Sequence, residues 1–340
     1  MRKRFLSILV ICTLMVSVFA GCGSNGTSTA SSTDTQSASS TDTQSAQTTS
    51  EDKPLFVAFS AGYGKVQHWE LEMLGCEAAA KELGVKFQYQ FADGNEQKQV
   101  ADIENFVQMG MDMLIVGPNN SEGIVPTVNE LKSKGIPVMT SDIGITGTDV
   151  VAHVASDNYK IGVKAAEYIG ELLNGKGKVA VVGWSAASAT KDREKGFAET
   201  IASKFPDIKI VANQDVGGNR NTSLEKSENI IEANKDINAF FGSNAENALG
   251  AYAATQAVNR KDIYVVSVDS DSEVMKAIKD NTNMKATIAQ NPYDMGYQAL
   301  TTAVKHLKGE KVENIAIDAE LVTVDNVQNI IDRDQKYLGK

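Results

Sequence analysis

The chain has 340 residues, and its 33 Lys and Arg against 43 Asp and Glu leave a net charge of −10. That is the wrong sign for a nucleic-acid binder, which needs basic patches. Its three cysteines have neither the spacing of a disulfide framework nor that of a zinc site. Aromatics make up only 6%, so each one near a candidate site carries weight.

The first element is an address. Arg2, Lys3 and Arg4 precede a largely apolar run at 5–19, which ends in Ala20-Gly21-Cys22. A basic start, a short apolar run and small residues at the cut mark a secretory signal. The run is too short to span a hydrocarbon core of about 30 Å. Its ending resembles the lipobox of bacterial lipoproteins, with Phe19 where Leu is usual, and this implies that Cys22 carries lipid. The alternative is a secreted protein cut elsewhere, with Cys22 incidental. Residues 22–52 are almost all Ser, Thr, Gln, Ala, Asn, Gly and Asp. Such a tract buries too little apolar surface to offset the entropy of ordering, so a disordered linker is expected after a signal peptide at 1–21.

About 290 residues remain from Pro54 onward, enough for two domains. LFVAF at 55–59 has strand length, and a helix-like stretch follows in which Cys76 reads as a buried, inert, apolar residue. The strand signal returns at 85–91. Val100, Ile103, Phe106 and Val107 fall at helical spacing, MLIV at 113–116 is a strand, and another helix ends at Leu131. Strands are expected at 136–140 and 151–155, then at 178–182, 208–211, 239–241 and 264–268, with helices between them. Short apolar runs separated by amphipathic helices mean βαβ units. The fold class is therefore α/β, with two doubly wound parallel-sheet lobes; a closed eightfold barrel is the alternative.

In open α/β sheets, ligands bind beyond the carboxyl ends of the strands. The residues there are Asn119, Asn120, Asp142, those at 185–190, Asn244, Asp269 and Gln290. AGYGK at 61–65 lacks the second half of either nucleotide motif and reads as a flexible loop. Catalysis finds little support. Of the three histidines, His153 sits inside a strand and reads as structural, while His306 lies on a late helix and reads as solvated. No histidine pair has ligand spacing, and no serine stands in a G-x-S-x-G elbow. Asp269, Asp271 and Glu273 alternate like a calcium loop but lack its turn glycine and distant glutamate, and read as acids opening a helix. Neither an enzyme nor a metal or other cofactor is expected.

The post-strand residues form a recognisable set: Thr140-Ser141-Asp142, VAHVASDN at 151–158, REKGF at 193–197, FGSNAENALG at 241–250, VVSVD at 265–269 and ATIAQ at 286–290. On these motifs the chain from about 54 to 324 resembles the type I periplasmic sugar-binding proteins, most of all their ribose-binding branch. The resemblance implies a lobe of 53–156 plus 291–318 and another of 157–290 plus 319–340. They would be joined by a three-segment hinge near 156–157, 290–291 and 318–319. It implies that Asp142, Arg193, Asn244, Asp269 and Gln290 hydrogen-bond sugar hydroxyls. Trp69 matches the second aromatic of a loop that stacks on the sugar ring, and His68 stands where the first would be. Carboxylates and amides around the edge with a flat apolar face suit a sugar.

Four positions depart from the family pattern. Ile143 follows Asp142 where Arg is common, Gly117 replaces Asn, and Gly218 and Val268 replace aromatics of the ribose branch. A roomier, partly more apolar pocket is expected, not one built for ribose. Trp184 either supplies a replacement ring or packs at the base of its loop. The implied function is a lipid-anchored, monomeric, extracytoplasmic receptor that closes on a carbohydrate and delivers it to the permease of an ABC importer. A sensor presenting a sugar-like signal to a membrane receptor needs the same pocket. A repressor's effector domain would need a helix-turn-helix before residue 54, where the signal and polar tract stand.

Overall fold

The computed structural model describes residues 53–64 and 66–339; the readings of Cys22, the signal and the linker lie outside the described residues. Strands β1 (Phe56–Ala61), β2 (Lys86–Phe91), β3 (Met113–Gly117), β4 (Val138–Ser141) and β5 (His153–Ser156) come first. Helices α1 (Gln67–Leu83), α2 (Glu96–Gln108) and α3 (Val125–Ser133) connect them. A second series starts with α4 (Asn158–Leu172) and β6 (Lys176–Gly183), then α5 (Ser188–Lys204), β7 (Asp207–Asp215) and α6 (Arg220–Ala233). It continues with β8 (Ala239–Gly242), α7 (Ala245–Ala257), β9 (Tyr264–Val268), α8 (Ser272–Lys279) and β10 (Met284–Ala289). The chain then forms α9 (Pro292–Leu307), β11 (Ile315–Ile317), β12 (Glu320–Val322) and α10 (Val327–Leu338).

The strands make two six-stranded sheets, ordered β11-β5-β4-β3-β1-β2 and β12-β10-β9-β8-β6-β7. All pairings are parallel except β10 with β12. Both sheets are open, so the barrel alternative falls. The central strands are buried along their length because helices cover both faces, as expected for parallel sheets. Three connections pass from one sheet to the other: β5 into α4, β10 into α9, and β11 into β12. Among the described residues no helix is long and apolar enough to cross a membrane.

Sequence reasoning passed over β10, β11 and β12. Lys285 and Thr287 interrupt the apolar run of β10, and three-residue strands such as β11 and β12 carry no readable period. Strand β4 begins two residues later than expected: Pro137 has no N–H to donate, and its carbonyl accepts from Leu114 N–H at 3.1 Å.

In each lobe helices cross on glycine. A Cβ added to Gly75 of α1 would lie 1.9 Å from the Tyr293 carbonyl oxygen, and one on Gly296 of α9 would lie 1.9 Å from that of Glu72. In the other lobe, a Cβ on Gly162 of α4 would meet the Arg193 carbonyl oxygen at 1.9 Å. The backbones that carry Glu72 and Arg193 are thus held by direct helix-to-helix contact. Cys76 is fully buried in the first of these crossings, and its thiol donates to the Gly296 carbonyl at 3.2 Å. Gly296→Ala and Gly162→Ala are each expected to cost about 1–3 kcal/mol through overpacking, measured by urea denaturation. A wild-type midpoint in both variants would show that the helices part freely.

Candidate functional site

Asp142 and Asp269 follow β4 and β9, which hold the same place in the two sheet orders. Both adopt the left-handed region, at φ 59° and 79°, which is uncommon for residues other than glycine. Neighbouring strands hold them there. Asp142 N–H donates to the Val154 carbonyl at 2.9 Å and Asp269 N–H to that of Ile288 at 3.1 Å. The Thr287 hydroxyl donates to the Asp269 carbonyl at 2.6 Å. Backbone strain of this kind costs about 1–3 kcal/mol and concentrates at functional sites.

All seven residues singled out as ligand-binding, His68, Trp69, Asp142, Arg193, Asn244, Asp269 and Gln290, line one cavity of about 90 Å³ between the lobes. That is room for one small ring or several waters. Their hydrogen bonds orient them. Asn244 caps α7, its Oδ1 accepting from Asn247 N–H at 2.8 Å, which leaves the Nδ2 donor for the cavity. Arg193 donates from Nε to Asn158 at 2.8 Å and from Nη1 to the Ser243 carbonyl at 2.9 Å. Gln290 Nε2 donates to Asp269 Oδ1 at 2.7 Å, and Asp269 Oδ2 accepts from Ala245 N–H at 3.2 Å. Among the described residues, Gln290 Oε1 is buried without a hydrogen-bond partner, and the buried His68 Nε2 and Asp142 Oδ1 have only each other, at 3.4 Å. Buried polar atoms are costly unless paired, so this cluster asks for a ligand that both donates and accepts.

Charge is concentrated here. His68 Nε2 lies 3.4 Å from Asp142 Oδ1, and its Nδ1 lies 3.8 Å from Asp269 Oδ1. Burial works against a charged imidazole, but Asp142, Asp269 and Glu72 outweigh it and raise the His68 pKa to about 9. Burial pushes the Glu72 carboxyl up to about 8, with Asp142 adding to the effect and His68 and the Ser141 hydroxyl opposing it. Burial also tends to raise Asp142, yet His68 and Arg193 hold it below the usual carboxylate range. His153 is structural, as expected: its Nδ1 is 2.8 Å from the Thr140 hydroxyl, and burial lowers its pKa. Asp271 is the N-cap of α8, as an acid opening a helix should be. Asp269 is not such an acid, since it turns into the cavity. Among the described residues no group of three or more His, Cys, Asp or Glu is arranged to hold a metal ion.

Sequence reasoning missed Glu72, which is fully buried and accepts from the Ser141 hydroxyl. Its i, i+4 spacing from His68 on α1 was the available signal. It also missed Tyr63 and Gln67. The loop read as flexible is pinned instead: Gly62 N–H donates to the Gly117 carbonyl at 2.7 Å, and the Tyr63 ring meets Trp184 edge-on at 5.1 Å. Gln67 donates across the cleft to the Ser270 carbonyl at 2.9 Å, and Ser121 N–H donates to that of Ala186 at 3.0 Å. The lobes are closed over the cavity.

The room expected at two of the departing positions has a tryptophan beside it. A Cβ on Gly117 would come 2.5 Å from Trp69 Cη2, and one on Gly218 would come 3.4 Å from the Trp184 ring. Trp69 occupies the space Gly117 leaves, and Trp184 packs at contact distance beside Gly218. Val268 is fully buried in the core of its lobe, so its smaller side chain adds no room. Ile143 does line the cavity, which makes that wall apolar as expected.

With this geometry in view, similarity to known proteins is informative. The sequence pattern described as the periplasmic binding protein domain matches residues 57–311. The ribose import binding protein of Haemophilus influenzae is 36% identical over 252 residues, 73% of this chain and 85% of that protein. An ABC transporter solute binding protein of Bacillus halodurans with bound myo-inositol superposes with a TM-score of 0.77 at 26% identity, covering 84% of this chain and all of that one. A solute binding protein of Agrobacterium vitis bound with alpha-D-tagatopyranose gives 0.78 at 26% identity over 82% and 98% of the two chains. Gly117→Ala is expected to displace the Trp69 ring and change the tryptophan near-ultraviolet dichroism without unfolding the chain. An unaltered spectrum would show that the ring has slack.

Proposed function

The chain belongs to the periplasmic binding protein family, and on that footing we propose that it captures one uncharged, polyhydroxylated small molecule, a monosaccharide or cyclic polyol, between its lobes. The observation that carries this reading is the ring of buried donors and acceptors from both lobes, in which Gln290 Oε1 has no hydrogen-bond partner among the described residues and His68 Nε2 and Asp142 Oδ1 have only each other. A hydroxyl donates and accepts at one atom and so suits a wall of carboxylates and amides. Asp142, Glu246, Asp269 and Asp271 face the cavity against Arg193 and His68, a balance that disfavours phosphorylated or carboxylated sugars. Hydrogen bonds to charged groups contribute about 1.5–3 kcal/mol each. A few of them, less the cost of immobilising the ligand, correspond to roughly micromolar affinity, about −8 kcal/mol.

In this reading the lobes are 53–156 with 291–318 and 157–290 with 319–340, and ligand favours the closed form by touching both. The similar proteins named above bind solutes for import, which supports delivery of the captured molecule to the permease of an ABC importer outside the cytoplasm. Cys22 would carry the lipid that keeps a monomeric receptor beside that permease, with 22–52 as its leash. The pocket binds its solute and leaves it unchanged.

Calorimetry against D-ribose, D-tagatose, myo-inositol and a set of nucleosides is expected to give saturable heat with at least one of the sugars or polyols. Silence from the whole panel would sink the reading. Asp269→Ala and Arg193→Ala are each expected to weaken the bound compound at least about tenfold, the loss of one charged hydrogen bond. Unchanged affinity in both variants would show that the recognition ring lies elsewhere.

A further inference from the structure

His68 stands on the first turn of α1, between an aspartate of its own lobe and one of the other. The side chain is only 11% exposed. Three carboxylates surround it: Asp142 after β4, Asp269 after β9 and Glu72 one turn along α1. Arg193 of α5 also acts on Asp142, but its Nε and Nη1 are committed to Asn158 and the Ser243 carbonyl. Glu246 and Asp271 line the same cavity, and His153 of β5 lies behind Asp142. Ile143, the residue after Asp142, brings no charge. Among the described residues, His68 is the one cationic side chain within 4.0 Å of either aspartate.

We infer that closing the lobes on a ligand takes up a proton at His68, whose imidazolium then bridges Asp142 and Asp269 across the cleft. The inference rests on the reading of the cavity as a solute site. With the lobes apart, His68 keeps Asp142 and Glu72 but loses both Asp269 and the burial that works against the charged ring yet strengthens each attraction, the attractions prevailing in the closed protein. Closure returns both. Glu72 and Asp142 share a lobe, so their mutual repulsion is present in either state and does not report closure. A neutral His68 would leave the two aspartates facing one another in a closed cavity with only Arg193 near.

The pH dependence has a definite sign. In the closed protein His68 holds its proton up to about pH 9, against an ordinary histidine value of about 6.5. A group whose pKa rises on closure favours the closed form fully below its open-state pKa, and that contribution fades as pH climbs through the closed-state value. Affinity is therefore highest at mildly acid to neutral pH. It falls through the window toward pH 9, by at most about tenfold per pH unit for one proton.

The chain's three histidines make the test direct. Their ring resonances are followed by NMR against pH with and without D-ribose, D-tagatose or myo-inositol, with His68→Gln assigning the signal. Calorimetry at pH 8 in buffers of different ionisation enthalpy counts the protons taken up. The expected result is a His68 midpoint well above 6.5 that rises further with ligand and drops in Asp269→Asn, with proton uptake on binding that His68→Gln abolishes. Binding without proton uptake, or a His68 midpoint at or below 6.5 in the bound protein, overturns the inference and leaves the solute-site reading standing. A high midpoint lowered by Asp269→Asn, with no compound bound, overturns the solute reading while the His68 bridge stands.

Discussion

Charge desolvation is the constraint around which the cleft is organised. Asp142 and Asp269 face the cavity and Glu72 is fully buried behind them, and isolated carboxylates in such surroundings are strongly disfavoured. The fold answers each separately. Glu72 keeps its proton and is held by Ser141. Asp142 stays ionised beside His68 and Arg193. Asp269 accepts from Gln290 and from the first N–H of α7, at a helix end that favours negative charge. Removing any cation from this set would leave a buried charge unmatched, so the polar ring is supported as a unit.

The same economy shapes the apolar walls. Gly117 and Gly218 look like losses when compared with a ring of larger residues, yet each has a tryptophan packed beside it, and Gly117 is the condition for Trp69. Trp69 could not lie where it does over any side chain at 117. Trp184 reaches from the other lobe to meet Tyr63, closing the cavity with an edge-on aromatic pair. Close packing conserves volume across neighbours, so a small residue in sequence need not mean an empty space in the fold.

Helix crossings connect these layers. Gly75 and Gly296 bring α1 against α9, and Gly162 brings α4 against α5. Those contacts fall at Glu72 and Arg193, so the backbone behind two key polar groups is rigid. Function in this molecule therefore depends on residues that never touch the cavity, a property that no list of site residues would reveal.

Most of the architecture was legible because strand and helix periods are local. LFVAF, MLIV and their counterparts announce buried parallel strands, and the alternation with helices leaves little besides a doubly wound arrangement. The short β11 and β12 were not legible, since their pairing is decided by partners far along the chain. Asp142, Asp269, Asn244 and Gln290 could be found because open α/β sheets place the residues after their strands at one edge. What the sequence by itself determined was thus the order of the first nine strands and their helices, the two doubly wound lobes and, through its resemblance to the sugar-binding proteins, the candidates for the polar ring. Which charges meet was decided by tertiary structure alone: that His68 faces aspartates from both lobes, that Glu72 stands behind them, and that tryptophans pack beside the glycines. Local patterns encode direction and burial, whereas ionisation and pocket volume depend on side chains brought together from opposite lobes.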